Sequence, residues 1–140
     1  IDQPPDDWFH YIRSTHTQSE VDKFDAMFVP ERSTFYTGVS KEELMMYEPN
    51  TETLKGIRIP PQIPVRMLTS VQYGDLQMKL GYRPEDMKVW AEMQAQILEG
   101  VADAKQIITE TGGHFLHQTE PELVLDAVRE LSELYRNSSQ

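Results

Sequence analysis

Residues 105–135, KQIITETGGHFLHQTEPELVLDAVRELSELY, carry the pattern that decides the predicted fold. The stretch opens with Lys105–Glu110, a short strand pattern that Thr111-Gly112-Gly113 interrupts. His114 comes directly after the two glycines. The stretch therefore begins as a strand followed by a loop that carries a histidine.

A helix is predicted to follow this loop. Thr119-Glu120-Pro121-Glu122 is a capping box, in which side chains satisfy the free backbone donors of the first turn. Beyond it, the apolar residues recur at helical spacing and form one continuous stripe: Leu123, Val124, Ala127, Val128, Leu131, Leu134 and Tyr135. We expect a helix over residues 120–136.

The sequence upstream continues the same alternation. Val65–Ser70 has a strand pattern, and Pro84 opens a helix over residues 84–99 that Gly100 is positioned to end. The apolar side of that helix consists of Met87, Trp90, Ala91, Gln94, Ile97 and Leu98. Strand, helix, strand, loop and helix in this order predict an α/β fold, with two neighbouring parallel strands joined by a right-handed crossover.

Two parallel strands do not form a stable sheet, because both faces need cover and both edges need partners. The chain is therefore expected to be incomplete as a domain. Residues 1–140 expressed alone are expected to aggregate or fold poorly, and to become soluble when the rest of the sheet is supplied.

Residues 1–56 are polar and acidic, with short helical patterns. A helix is expected to start near Ser19 and to stop at Pro30. Its apolar side holds Val21, Phe24 and Phe28. Ser40-Lys41-Glu42-Glu43 is a capping box that predicts another short helix, and the prolines of residues 57–64 predict an extended connector.

Composition excludes several classes of function. A net charge of −10 argues against binding nucleic acid, which needs clustered Lys and Arg. Without cysteine, the chain has no disulfide, no thiolate metal site and no cysteine nucleophile. No apolar run approaches the ~18 residues of a membrane span, so a soluble chain is expected. No phosphate loop, dinucleotide fingerprint or HExxH motif occurs, and no cofactor or metal is predicted.

The four histidines are the first candidates for chemistry. His10 and His16 lie in the polar, acidic segment and are expected to be exposed, without a chemical role. His117 is expected to pack or to hydrogen-bond at the start of the last helix. His114 differs, because a loop after a parallel strand lies at the edge where open α/β sheets bind ligands. The two preceding glycines would let the backbone approach neighbouring residues closely.

Several pieces of the sequence, taken in order, resemble the α/β-hydrolase family. Residues 113–124, GHFLHQTEPELV, are similar to its C-terminal signature of a Gly-His turn, Pro-Glu and a final amphipathic helix. Ile63–Thr69 resembles its penultimate core strand, and residues 90–94, WAEMQ, resemble the helix between its last two strands. The resemblance covers residues 63–136. It implies the C-terminal part of an α/β-hydrolase fold, with short parallel strands, covering helices and a helical cap segment.

This resemblance implies that His114 is the base of a catalytic triad. It would take the proton from a serine-type nucleophile and return it to the leaving group, while a carboxylate orients the ring. Many members carry that acid two or three residues after the penultimate strand, where this sequence has none; Asp75 comes about three residues late. A subset places the acid after the preceding strand in a Val-Asp-Pro-like context, which Ile1-Asp2-Gln3-Pro4 resembles. Asp2 is therefore favoured as the acid, and Asp75 is the alternative.

The nucleophile is missing, because no Gly-x-Ser-x-Gly elbow occurs in the sequence. The implied function is a serine-type hydrolase of ester, amide or related acyl bonds, with the nucleophile supplied by an N-terminal segment or a second chain. Its substrate would be a small, apolar acyl compound. The alternatives are a non-catalytic member of the fold that binds a ligand or partner, and a free-standing acidic helical module. By the same resemblance, residues 1–6 end a core strand and carry the acid, residues 7–56 form the cap, and residues 57–140 belong to the core.

Overall fold

The computed structural model describes residues 7–29, 32 and 57–138. These residues belong to two compact units. The sheet unit consists of residues 59–72 and 87–138, and the helical unit consists of residues 7–29, 32, 57–58 and 73–86. The capping box at Ser40 and the helix predicted after it lie outside the described residues.

The described residues form the following helices and strands, in chain order: α1 (Trp8–Thr15), α2 (Gln18–Phe28), β1 (Val65–Ser70), α3 (Asp75–Lys79), α4 (Asp86–Gln96), β2 (Ala104–Thr109), α5 (Leu116–Thr119) and α6 (Pro121–Ser138).

β1 and β2 are neighbouring parallel strands, as predicted. Their register pairs Val65 with Ala104 at one end and Ser70 with Thr109 at the other. β1 has the predicted bounds. β2 begins one residue earlier than predicted, at Ala104, and it ends one residue earlier because the backbone already bends at Glu110. The described part of the chain is thus a mixed α/β structure with a two-stranded parallel sheet.

α4 lies between the two strands in the chain but is shorter than the helix predicted over residues 84–99. Turns replace both ends of that helix, and Gly100 lies in the second turn with a φ of 80°, which glycine adopts readily. Met87 and Ala91, on the predicted apolar side, are buried. Ile97 is exposed, because it comes after the last helical residue.

α6 confirms the helix predicted at the end of the chain, and it contacts β1. Ala127 is buried, but Val128 is 54% exposed and Tyr135 is 75% exposed, so the predicted stripe is wrong at these two positions. Each comes one residue after a position on the covered side, and one residue turns the helix by about 100°. Among the described helices, none is long and apolar enough to cross a membrane.

Arg66 links three elements of the sheet unit. Its side chain is only 4% exposed, and it makes ion pairs with Asp103 at 2.9 Å and Glu130 at 3.1 Å. The hydrogen bond to Asp103 is the main reason that the pKa of Arg66 is raised. The guanidinium thereby joins β1 to the loop before β2 and to α6.

The helical unit has its core between α1 and α2, where Ile12 and Phe24 are fully buried. The ring of Phe24 lies 5.1 Å from that of Phe9 and 4.8 Å from that of Phe28, measured between centroids. The sequence predicts short helices here without locating α1. That helix starts at Trp8 because Asp7 Oδ1 accepts a backbone N–H of the first turn at 2.9 Å.

α2 begins at Gln18, one residue before the predicted start at Ser19. The capping residue is Thr17, whose backbone N–H and hydroxyl donate to the Glu20 carboxylate at 2.9 and 2.7 Å. This contact fixes the first turn, as in a capping box. The helix ends at Phe28, in agreement with the predicted stop at Pro30.

The segment from Gly74 to Gly81 contains α3, a short helix in which the Met78 N–H donates to the Gly74 carbonyl at 3.1 Å. Gly81 has a φ of 82°, and a Cβ there would lie 2.4 Å from the carbonyl oxygen of Glu20. Only glycine therefore lets this segment approach the backbone of α2 so closely.

Candidate functional site

The carboxyl edge of the sheet is the candidate site. Because β1 and β2 are parallel and in register, Ser70 and Thr109 end them side by side at this edge. The loop over residues 110–115, with His114, follows directly. Ligands of open parallel sheets bind at this edge.

The end of β1 holds the loop that follows β2. The Ser70 hydroxyl donates a hydrogen bond to the carbonyl oxygen of Gly112, and it accepts one from the Gln72 N–H at 3.3 Å. The contact lies two residues before His114. Its effect is to fix the backbone that presents the histidine.

Threonines secure the rest of the loop. Thr109 Oγ1 accepts the backbone N–H groups of Thr111 at 3.2 Å and Gly112 at 3.1 Å, which is a local turn of the kind that threonine favours. On the other side of His114, the Gly113 N–H donates to Thr119 Oγ1 at 3.0 Å. His114 is therefore held between two anchored segments.

Glu120 joins the loop to the start of α6. The Thr111 hydroxyl donates to Glu120 Oε1. This hydrogen bond, together with one from Thr109, lowers the pKa of the Glu120 carboxyl. The carboxylate is thus used to hold the loop.

The two glycines before His114 have different surroundings. A Cβ at Gly112 would lie 2.3 Å from Leu116 Cδ2 and 2.9 Å from Thr109 Cγ2. At Gly113, the nearest atom would be Thr119 Cγ2 at 3.3 Å. Both glycines were expected to allow a close approach. A side chain at Gly112 would overlap its neighbours, whereas a side chain at Gly113 would make only a tight contact.

His114 itself is exposed. Its ring lies edge-on to that of Phe115, with centroids 4.9 Å apart and an interplanar angle of 83°. No described residue of the sheet unit hydrogen-bonds to either ring nitrogen. The imidazole is thus open to solvent at the sheet edge, next to the exposed ring of Phe115. His117 is also exposed.

The structure does not bring either candidate acid to His114 within the described residues of the sheet unit. Asp2 lies outside the described residues. Asp75 is exposed and is the first residue of α3, in the helical unit. Within the described part of the sheet unit, no carboxylate forms a hydrogen bond or an ion pair with His114.

The described serine next to this loop is not a nucleophile elbow. Ser70 is the last residue of a strand, and its hydroxyl proton is used by the carbonyl of Gly112. A shallow groove of about 650 Å³ lies beside the loop, between the end of β2 and the first turns of α6. Its lining includes the acids Glu110, Glu120, Glu122 and Asp126. This groove favours neutral or cationic groups over anions.

The sequence did not indicate a second polar cluster, in the helical unit. His16 was expected to be exposed, and this expectation is wrong, since its side chain is 0% exposed and its Nε2 lies 2.7 Å from Asp86 Oδ2. The two residues are 70 positions apart, and neither stands in a recognisable motif.

Taken together, the described residues establish a mixed α/β structure whose parallel strands present an anchored histidine loop at one edge. No protein-family model, curated protein or solved structure matches this chain.

Proposed function

We propose that this chain supplies the base-bearing part of a serine-type hydrolase with an α/β-hydrolase fold. His114 is the base, Asp2 is the acid that orients it, and the nucleophile comes from an N-terminal segment or a second chain. The bond hydrolysed is an ester, an amide or a related acyl bond.

One observation carries the proposal: an exposed histidine on a loop that is fixed at the carboxyl edge of two parallel strands. The loop is hydrogen-bonded to β1 through Ser70 and to the end of α5 through Thr119. The backbone that carries the imidazole is therefore fixed, while the ring itself is exposed to solvent. A general base needs this combination, because it must reach a nucleophile from a backbone that does not move. The family resemblance of residues 63–136 supports the same assignment.

The chemistry follows from imidazole at neutral pH. One ring nitrogen of His114 takes the hydroxyl proton of the nucleophile as it attacks the acyl carbon, and returns that proton to the leaving alcohol or amine. The carboxylate of Asp2 accepts the other ring N–H, which selects the productive tautomer. The acidic groove beside the loop disfavours substrates with an anionic acyl group.

The test uses the protein together with the segment or chain that carries the nucleophile. Hydrolysis of neutral p-nitrophenyl acyl esters is measured for the wild type, for His114→Ala and for the matched control His117→Ala. We expect His114→Ala to lower kcat by about 10³-fold or more, with the fold unchanged by circular dichroism, because an exposed loop histidine contributes little packing. His117→Ala should keep most of the activity.

The competing function is a non-catalytic member of the same fold that binds a ligand or partner. The absence of an orienting group for His114 in the described part of the sheet unit favours it. Wild-type protein without measurable ester or amide hydrolysis would support this second function. Full activity of His114→Ala would contradict the first.

A further inference from the structure

α6 has one side that covers the sheet and another that is exposed to solvent. On the covered side, Ala127 is buried and Glu130 makes an ion pair with β1 at 3.1 Å. On the exposed side, Leu125, Val128 and Tyr135 are 44%, 54% and 75% exposed. Large apolar side chains that lie together in contact with water mark a surface for interaction.

The exposed side of α6 is a narrow stripe. Leu125, Val128, Ser132 and Tyr135 follow one another at intervals of three, four and three residues, and we call them the α6 stripe. Because a turn of helix takes 3.6 residues, these intervals keep the four side chains on one side. A shallow groove of about 460 Å³, lined by α6 alone, runs along the second half of the stripe. The same spacing forms the seam between two helices of a coiled coil.

The α6 stripe is symmetric about its middle, at position 130. Its intervals are the same in both directions, so a second α6 laid antiparallel brings Leu125 opposite Tyr135 of the other copy. In the same way, Val128 comes opposite Ser132 of the other copy. Ser132 is small, and its hydroxyl donates to the carbonyl of Val128 in its own helix at 2.8 Å, so it leaves room for an apolar side chain. Each contact then occurs twice, as two-fold symmetry requires.

The charges beside the stripe favour the antiparallel direction. Glu122 lies in the first turn of α6 and Arg136 in the last, on the same flank of the stripe. Antiparallel helices bring Arg136 of each copy to within about 3 Å, along the helix axis, of Glu122 of the other, whereas parallel helices would bring like charges together. Arg129, which lies between them on this flank, is paired with Asp126 of its own helix at 2.7 Å and is farther from Glu122, at 3.9 Å. Opposite charges therefore meet at both ends of an antiparallel pair.

We propose that the α6 stripe is the interface of a homodimer, in which two copies of this chain pack their last helices antiparallel. The side chains of each stripe fill the groove of the other, at the 8–10 Å between axes that is usual for packed helices. A net charge of −10 on each copy opposes unspecific association, so the dimer needs this specific contact. The contact does not involve the histidine loop, and it does not depend on the hydrolase function.

Cysteine cross-linking tests the contact, because the chain contains no cysteine of its own. Val128→Cys and Ser132→Cys are prepared as two variants of the full chain, mixed and oxidised. A disulfide needs Cα atoms about 4.4–6.8 Å apart, a distance that facing positions of the helix pair can reach. We expect the mixed disulfide, identified by mass spectrometry, to form readily. It should form much less in the control mixture of Val128→Cys with Glu133→Cys, because Glu133 is exposed on the polar side of α6. Equal yields in the two mixtures, which random aggregation would produce, would overturn the proposal.

Sedimentation equilibrium of the full chain tests the direction of the helices, at about 0.15 M salt so that the net charge is screened. The wild type should be a dimer that dissociates on dilution. Arg136→Glu should weaken dimerisation by about 3–10-fold, because like charges then meet at both ends of the helix pair. Combining Arg136→Glu with Glu122→Arg exchanges the two charges and should restore the dimer. Arg58→Glu, which changes an exposed arginine of the helical unit, controls for net charge and should not weaken the dimer.

Three results would overturn the proposed dimer. A wild-type chain that stays monomeric would show that the stripe is not covered by a second copy and is left to a different protein. A dimer that Arg136→Glu does not weaken would use another surface. A dimer that Arg136→Glu weakens, and that Glu122→Arg does not restore, would not have antiparallel helices.

Discussion

The hydroxyl of Ser70, at the end of β1, donates a hydrogen bond to the carbonyl oxygen of Gly112, on the loop that follows β2. Ser70→Ala removes this contact and leaves a partly buried carbonyl without its donor. We expect a loss of about 1 kcal/mol in the free energy of unfolding, the usual effect of one neutral hydrogen bond. Amide hydrogen exchange should accelerate at residues 112–115, which includes His114.

The matched control for this change is Ser132→Ala. The Ser132 hydroxyl donates to the carbonyl of Val128 within α6, at 2.8 Å and on an exposed surface. Its removal should not alter exchange in the histidine loop. Equal exchange at residues 112–115 in wild type and Ser70→Ala would show that the sheet edge does not hold the loop.

Gly112 and Gly113 should respond differently to alanine. At Gly112, the new methyl group would overlap Leu116 and Thr109, so these side chains must shift. Overpacking of this kind costs about 1–3 kcal/mol. Gly113→Ala meets only a mild contact and should cost clearly less. Urea unfolding of both variants measures the difference, and the reverse order would contradict the packing described around Gly112.

The two candidate acids are separated by conservative substitutions in the protein that contains the nucleophile. If Asp2 orients His114, Asp2→Asn should lower kcat strongly, by up to about 10⁴-fold, because the tautomer of the base is no longer selected. Asp75→Asn should be nearly silent, since Asp75 is an exposed residue at the start of α3. The opposite ranking in steady-state kinetics would exchange the roles of the two aspartates and leave His114 as the base.

Gly81 and Gly100 both have a positive φ, of 82° and 80°, but only Gly81 is crowded. A Cβ at Gly100 would meet nothing within 4 Å, so Gly100→Ala should cost only the backbone strain, about 1–2 kcal/mol. Gly81→Ala adds a collision with the Glu20 carbonyl and should cost more than Gly100→Ala. Chemical unfolding of the full chain tests this order, and equal losses would argue against the close approach at Gly81.

The strands and the last helix could be predicted because each has a clear local pattern. Val65–Ser70 and Lys105–Glu110 are short runs with apolar and β-branched residues, bounded by Pro64 and by Thr111-Gly112-Gly113, and the apolar positions of α6 recur at helical spacing. The exposed Val128 and Tyr135 could not be distinguished from the buried positions of that stripe, because hydropathy alone does not show which side chains of a helix the rest of the protein covers.

The buried His16–Asp86 pair could not be predicted, because its two residues are 70 positions apart in polar segments. A polar residue in an acidic segment is usually exposed, and only the contact of His16 with Asp86 inside the folded helical unit reverses that expectation. In contrast, the position of His114 after two glycines is local information, so sequence alone located it on the loop at the sheet edge.

The ion pair of Glu20 with Arg83 should make the helical unit sensitive to acid. The hydrogen bond from Arg83 is the main cause that holds the pKa of Glu20 well below its ordinary value, and Arg83 Nε lies 2.9 Å from Glu20 Oε1. A lowered folded-state pKa contributes stability above the ordinary value, near 4.3, and this contribution disappears as the pH falls through the folded-state pKa. We therefore expect Glu20→Gln to lower the midpoint of urea unfolding at pH 6, with a difference from wild type that shrinks as the pH falls below 4.

The effect of Glu20→Gln should be modest, because both side chains of the ion pair are partly exposed and solvent screens the pair. Glu133→Gln, which removes an exposed carboxylate from α6, controls for the change in net charge. A difference between wild type and Glu20→Gln that stays constant from pH 6 to pH 3 would mean that the carboxylate charge of Glu20 does not stabilise the fold.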